Sequence, residues 1–258
     1  MTDALIEVKD DWIKLPSVQT MDQSSRYISN TFGLRGFAFG IDGTHCTFDG
    51  APENLPVGHN SQQYWNRKHD YSLNVQIVGG PDGLIYDVDA RWYGSANDAR
   101  VYAWSEVRRF LEANPWYLLA GDSAYPISRV LMKPYPTAEA ANDVSKRRFN
   151  KRLSGARTIM TENIFGRLKR KFSILKQLRC ALELSQKIVL ACCILHNMYT
   201  TWSKEDESDS DDDSNNTDAE YDSNSSDENN EVVIPDQNRI ALRHAGQVKR
   251  DEIRISMT

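Results

Sequence analysis

Residues 203–231 hold 13 Asp and Glu against a single Lys, with Ser and Asn filling most of the rest and Tyr221 as the one aromatic residue. A segment of that composition has too little apolar surface to offset the entropy of ordering it, so it reads as a disordered acidic linker or tail. It either covers a basic face as a mimic of nucleic acid or is solvated filler. Folding is left to residues 1–202 and 232–258. The split also inverts the charge. The whole chain of 258 residues carries a net −5, but outside the acidic segment there are 30 basic and 23 acidic residues, a net +7. A partner of the folded part meets a basic surface, despite a pI of 5.6.

With 40% hydrophobic residues the chain can bury one substantial core, which favours a single main domain. No run of 18 apolar residues occurs, and the first residues lack the basic, apolar and small-residue succession of a signal peptide, so a soluble intracellular protein is expected. Cys46, Cys180, Cys192 and Cys193 are irregularly spaced. They match neither a disulfide framework nor structural zinc, and the adjacent Cys192 and Cys193 would point about 100° apart on a helix. Reduced thiols in the core are the expectation.

Hydrophobic pattern gives the order of elements. Residues 1–36 read as a lead-in too short for a domain of its own. Residues 38–48 read as a strand ending in a turn, 49–67 as a loop rich in turn-forming and polar residues, and 71–78 as a second strand. The turn formers Gly79-Gly80-Pro81-Asp82-Gly83 lead into residues 84–92, a hairpin partner. From Ala96 to Asn114 the spacing of Val101, Trp104, Val107 and Leu111 predicts a helix, with Ser95 or Asn97 as its N-cap. Residues 116–120 read as a buried central strand, and Met132-Lys133-Pro134-Tyr135 as a short one closed by its proline. Helices follow over 137–170 and 185–202. Residues 232–258 regain enough pattern for a strand or short helix that returns to the core. Such an order makes an α/β layer with a mixed sheet, in which ligands gather at strand ends.

Two acids stand at those ends. Asp42 follows an apolar strand and precedes a glycine, and Asp122 repeats the arrangement after residues 116–121, so both carboxylates are expected to project past the sheet if their strands are neighbours. Carboxylates brought together repel, and Mg²⁺ or Mn²⁺ relieves the repulsion through the oxygen ligands these cations prefer. Glu162 is the single acid within a run of 12 Lys and Arg between Lys146 and Arg179. It falls on a helical stretch, 154–171, where Ile159, Glu162, Phe165 and Gly166 share a face that would carry a third carboxylate to the same centre. Arg157, Arg167, Lys169, Arg170 and Lys171 around it are expected to meet phosphates rather than neutralise the acid. Two metals clamped by such acids activate water and stabilise the leaving oxygen of a phosphodiester. Singly these signals are weak, since Asp-Gly after a strand is commonly a turn and a basic helix face is commonly just solvated. A phosphatase reading of Asp42-Gly43-Thr44 fails because its nucleophilic carboxylate would have to stand at Gly40.

The ordered combination is more specific. Ile41-Asp42-Gly43-Thr44-His45, Gly94-Ser95-Ala96-Asn97-Asp98-Ala99-Arg100-Val101, Gly121-Asp122-Ser123-Ala124-Tyr125, Phe149-Asn150 with Leu153-Ser154, Glu162-Asn163-Ile164-Phe165-Gly166-Arg167-Leu168-Lys169 and Leu195-His196-Asn197 together resemble the Harbinger-type DDE transposases and the nucleases domesticated from them, over about residues 10–200. The resemblance implies a ribonuclease H-like fold for 37–202, a mixed sheet of about five strands flanked by helices. It implies a divalent-metal-dependent endonuclease (Mg²⁺ or Mn²⁺) that hydrolyses DNA, with Asp42, Asp122 and Glu162 as metal-binding catalytic acids. Asp98 matches a further recurrent acid and is a fourth metal-ligand candidate, although Asn97 stands where the family usually has His. As a helix-start residue Asp98 also suits the helix dipole.

Two departures stand out. The family usually carries an Arg four residues before the Glu, whereas Arg157 precedes Glu162 by five, about 100° out of place on a regular α-helix. The chain also starts almost at the nuclease core, without the helix-turn-helix region many relatives carry ahead of it, so site-specific DNA recognition is expected either to be missing or to be lent by a separate partner protein. DNA as substrate implies a nuclear location. His45 matches the family's His and either supports the site or a phosphate or makes a loop hydrogen bond, and His196 is expected to be a core histidine. Two functions stand open: a metal-dependent nuclease, and a catalytically idle domesticated transposase that binds nucleic acid or protein through its basic helix.

Overall fold

The computed structural model of the chain describes residues 2–207 and 236–257. A five-stranded mixed sheet runs through it in the order β3-β2-β1-β4-β5, so the α/β layer expected from the pattern is present. Strands β1 (Phe37–Thr47), β2 (Ser72–Gly79) and β3 (Ile85–Tyr93) form an antiparallel meander, and β4 (Leu118–Ala120) and β5 (Leu131–Met132) continue the sheet in parallel on the other side of β1. Around it are helices α1 (Thr2–Glu7), α2 (Lys9–Trp12), α3 (Val18–Phe32), α4 (Asp98–Ala103), α5 (Glu106–Ala113), α6 (Thr137–Ala141), α7 (Val144–Arg157), α8 (Asn163–Lys171), α9 (Leu182–Glu207) and α10 (Asp236–Ile255).

Alternation along the strands divides the core. Phe39 and Ile41 of β1 pack with Met21 of α3, Tyr102 of α4 and Val107 and Leu111 of α5 on one side of the sheet. On the other side, Val75 and Ile77 of β2 pack with Ile164 and Leu168 of α8 and with α9, while Leu118 and Ala120 of β4 pack with Phe149 and Leu153 of α7. Each of the larger apolar side chains among these contributes about 1.5–3 kcal/mol by leaving water.

The lead-in belongs to this body: α1 and α2 lie on α9, with the Trp12 and Trp202 rings edge to face at 5.9 Å. The far end of the chain returns to it as α10, which buries Ile253 beside Met132 and Tyr135 and accepts a 2.6 Å hydrogen bond from the Tyr135 hydroxyl at Asp251. The helix expected over 96–114 is two helices. Ser105 restarts it by accepting the Arg108 N–H as an N-cap, and Trp104, read as a core position, is left exposed at the break. Asn97 rather than Ser95 caps α4, accepting the Arg100 N–H at 2.8 Å. Of the acidic segment 203–231, the first residues extend α9 to Glu207, and those from 208 lie outside the described residues.

Between α7 and α8 the helix widens. Thr158–Glu162 form a π turn in which the Asn163 N–H bonds to the Thr158 carbonyl, five residues back instead of four. This turn rests directly on Gly40 and Gly79, which face each other across β1 and β2. A Cβ on Gly79 would stand 2.0 Å from the Met160 carbonyl oxygen, and one on Gly40 would stand 2.9 Å from both Met160 Cβ and Thr161 Cγ2. Gly40, whose bareness excludes a phosphatase nucleophile, is thus accounted for by close packing of helix on sheet.

Gly79→Ala should accordingly push backbone against backbone and destabilise the fold by about 1–3 kcal/mol or more. Gly40→Ala, which meets movable side-chain atoms, should cost less. Thermal unfolding of the two variants checks the order, and equal melting temperatures would contradict the close approach.

Candidate functional site

The site is made by a mismatch of strand lengths. β4 pairs with β1 only as far as Ala120 opposite Gly40, while β1 continues to Thr47 along β2. Asp42 therefore lies within a strand, opposite Ile77, and not at a strand end: Asp42-Gly43 does not turn because β2 keeps pairing it. What bares Asp42 is the early end of β4. Asp122 is two residues past Ala120 as Asp42 is two past Gly40, so the parallel register carries both acids into the same crevice. The crevice lies at the carboxyl ends of parallel neighbours, where open α/β sheets bind ligands. Asp122 is held in an Asx turn by the Ala124 N–H, 2.9 Å from Oδ1.

Asp98 reaches the crevice from the opposite side of the sheet, at the start of α4. Gly43 leaves it room, since a Cβ there would stand 2.5 Å from Asp98 Oδ1. Asn74 of β2 orients Asp98 by donating from Nδ2 to Oδ1 at 3.0 Å, and it also bonds the Ala96 carbonyl. Asp122 and Asp98 act on Asp42, and Asp122 acts on Asp98. Burial raises the Asp42 carboxyl to about 7 from an ordinary 3.8, Arg157 opposes the shift, and Asp122 and Asp98 add to it. Burial likewise raises Asp98, with Asp122 adding and the Asn74 hydrogen bond opposing. The buried Tyr125, whose hydroxyl is 3.4 Å from Gln76 Oε1, has its phenol raised by burial and then by the same three acids.

Glu162 stands at the rim, its side chain 43% exposed, with Oε2 accepting the Thr158 hydroxyl at 3.0 Å. Arg157 connects it to the buried acids. Arg157 Nη2 is 3.1 Å from Asp42 Oδ2 and 4.0 Å from Glu162 Oε1. The five-residue spacing that would misplace Arg157 on an α-helix is absorbed by the π turn, which takes one extra residue per turn and returns both side chains to one face. Two expectations are corrected here. Arg157 does pair with the acids, and Ile159 does not accompany Glu162, because the widened turn sends it into a cleft with Asn163 and Arg167.

The basic residues also divide. Arg167, Arg170 and Lys171, at helical spacings of three and four, line that larger cleft of about 700 Å³ with Tyr199 and Lys204. Lys169, off that face, instead lines a smaller cleft beside β1 and donates to Thr44 Oγ1 at 2.7 Å and to the His45 carbonyl at 2.9 Å. His45 bonds Ser72 across the strands, 3.0 Å from Nδ1 to Oγ, and burial lowers its pKa to about 4, with Lys169 adding to the shift. It is neutral at physiological pH. His196 is a core histidine, buried with Nε2 2.9 Å from the Gly83 carbonyl oxygen. Cys46, Cys192 and Cys193 are buried free thiols.

In kind, the donor set fits a hard divalent cation: carboxylate oxygens that repel one another, with the buried Asn74 Oδ1 beside Gly43 lacking a hydrogen-bond partner. Among the described residues, however, no group of three or more His, Cys, Asp and Glu side chains is arranged to hold a metal ion. Asn74 and Gln76 are parts of the site that pattern reading passed over. Their signal was present, since Ser72, Asn74 and Gln76 put polar groups at every second position of an otherwise apolar, fully buried strand.

Asp42 binds its proton more tightly in the folded than in the unfolded chain, so without added metal its ionisation should erode stability as pH rises from about 4 to about 7. Asp42→Asn should lose that dependence and gain most over the parent above pH 7. Melting temperatures of both proteins at pH 5 and pH 8, in chelator, test this; a constant difference would mean that Asp42 titrates as an ordinary carboxylate.

A family model described as DDE superfamily endonuclease matches residues 41–197, a span that contains all four acids. The protein named Putative nuclease HARBI1 from Homo sapiens is 29% identical over 210 residues, covering 77% of this chain and 56% of that protein. Protein ALP1-like from Arabidopsis thaliana is 26% identical over 196 residues, covering 69% of this chain and 46% of that protein. The chain thus spans about half the length of the curated relatives it matches. No solved structure matches it. The matches bear out the Harbinger-type resemblance carried by the motifs, and the chain belongs to the DDE superfamily endonuclease family.

Proposed function

We propose that the chain is a divalent-metal-dependent endonuclease that hydrolyses DNA phosphodiester bonds, on a ribonuclease H-like fold, with Asp42, Asp122 and Glu162 as its catalytic acids and Asp98 as a further metal ligand. The observation that carries the reading is the convergence of Asp42, Asp98 and Asp122 from three separate segments into one crevice, where Asp122 and Asp98 raise the proton affinity of Asp42 and Asp122 raises that of Asp98. Unpaired, such a cluster is costly, and a fold that keeps it has a use for concentrated negative charge. Mg²⁺ is commonly held by one or two carboxylates together with water and substrate phosphate, so a closed protein cage is not required. A divalent cation bound there supplies activation of the attacking water and charge stabilisation of the leaving oxygen.

The chain's own residues divide the remaining work. Asp42 and Asp122 present carboxylates from adjacent strands, and Asn74 fixes the orientation of Asp98. Arg157 keeps Asp42 and Glu162 in register, and the exposed Glu162 can swing from Thr158 towards the crevice. Arg167, Arg170 and Lys171 offer positive charge to the DNA backbone. DNA as substrate carries with it a nuclear location.

A second reading, a catalytically idle module that binds nucleic acid or protein, is favoured by the ion pair in which Arg157 already engages Asp42. Metal affinity separates the two. Calorimetry with Mn²⁺ should register binding to the parent and lose it in the Asp42→Asn/Asp122→Asn variant. Supercoiled plasmid should be nicked in Mg²⁺ or Mn²⁺, and both Asp122→Asn and Glu162→Gln should abolish nicking. Undiminished cutting by either variant would trace the activity to a contaminant, and absence of Mn²⁺ binding would leave the idle module.

A further inference from the structure

The smaller cleft, about 350 Å³ along β1 past Asp42, has a charge imbalance that the carboxylate site does not use. Thr44, His45, Thr47, Lys68, Lys169 and Lys176 line it. Lys169 is partly buried and has no carboxylate partner among the described residues: its ammonium rests on Thr44 Oγ1 and the His45 carbonyl, both neutral acceptors. Lys68 and Lys176 are exposed on either side of it and form no ion pair with any described residue. Asp70 is the one acid on the wall. His45, bonded to Ser72, brings no compensating charge. Three ammonium groups against one carboxylate, around a desolvated cation, leave a site short of an anion.

We infer that this cleft binds a backbone phosphate of the nucleic acid, a few nucleotides along the strand from the bond held at the carboxylates. The inference rests on DNA as the substrate. Its position follows from β1 itself: at about 3.4 Å per residue, Thr44 stands roughly 7 Å and Thr47 roughly 17 Å along the strand from Asp42. A nucleic-acid strand advances about 3.4 Å per phosphate along its axis, so the cleft reaches phosphates about two to five nucleotides away. Lys169 supplies the fixed charge at the base, and Lys68 and Lys176 close on the phosphate from the rim. The one amide on its wall, Asn66, is already engaged with Ser72 and with the backbone N–H groups of Lys68 and Asp70, so the cleft sets the register of the strand and not its sequence.

The test uses Lys68→Gln/Lys176→Gln, both exposed positions, beside Arg26→Gln/Arg109→Gln, which removes the same charge from exposed positions on α3 and α5. All measurements are made in chelator, so a protein that fails to cut DNA is still read for binding. Inorganic phosphate at low ionic strength should raise the melting temperature of the parent and of the arginine variant but not of the lysine variant. Anisotropy with a labelled DNA duplex should show the lysine variant about tenfold weaker at about 50 mM salt, with a salt dependence shallower by about one. Identical behaviour of the two double variants would reduce the effect to bulk charge and overturn the site. Loss of the phosphate response with unchanged DNA affinity and slope would assign the cleft to free phosphate and overturn its place on the DNA path.

Discussion

The contact between the π turn and the paired glycines of β1 and β2 is the constraint on which the site depends. A helix normally stands about 10 Å off a sheet because side chains intervene. At Gly40 and Gly79 the strands contribute no side chain, so the Met160 carbonyl comes down onto Gly79 and the Met160 and Thr161 side chains onto Gly40. That approach brings Arg157 within 3.1 Å of Asp42 and sets Glu162 over the same crevice. A residue with a side chain at position 79 would lift the turn and separate the rim acid from the buried ones. The two glycines and the extra helical residue therefore work as one device: the turn supplies the angle and the glycines supply the depth.

Much of the architecture was legible because each element announced itself by pattern. The glycine-rich 79–83 turn joined two strands of suitable length, and the apolar run before Asp122 placed β4 in the sheet interior. What the pattern could not carry were departures from ideal geometry. A 3.6-residue period has no means of registering a π turn, so residues 154–171 read as one helix with faces that the structure redistributes. Asp42 read as a strand-end residue, because Asp-Gly after a strand is usual in turns. Here its glycine serves a different need, clearing space for Asp98 across the sheet. The basic run was visible as charge, but its partition between Lys169 on one side and Arg167, Arg170 and Lys171 on the other depends on how α8 is rotated against β1.

The motif residues also differ in what they do. Asn150 bonds both backbone groups of Tyr135, at 2.8 and 2.9 Å, and Asn197 does the same for Ile85 while also reaching the Trp12 carbonyl. Each holds backbone that would otherwise be unsatisfied, so their part in this chain is a matter of fold and not of chemistry. His196 extends the second clamp to the Gly83 carbonyl. The acids carry the opposite signature. They are brought together at an energetic cost, while the clamps relieve one.

The unequal lengths of β1 and β4 have a further consequence for how the protein behaves in a crowded solution. A strand left open along one side is a template for a second chain, and exposed templates invite stacking into insoluble assemblies. β1 is open beyond Gly40 until residues near Leu178 meet its end. Along that stretch Lys169 already takes the His45 carbonyl, with Lys68 and Lys176 beside it, and charged side chains placed at an open edge obstruct its pairing with another copy. The gap that admits a ligand is thus also guarded against the wrong kind of visitor.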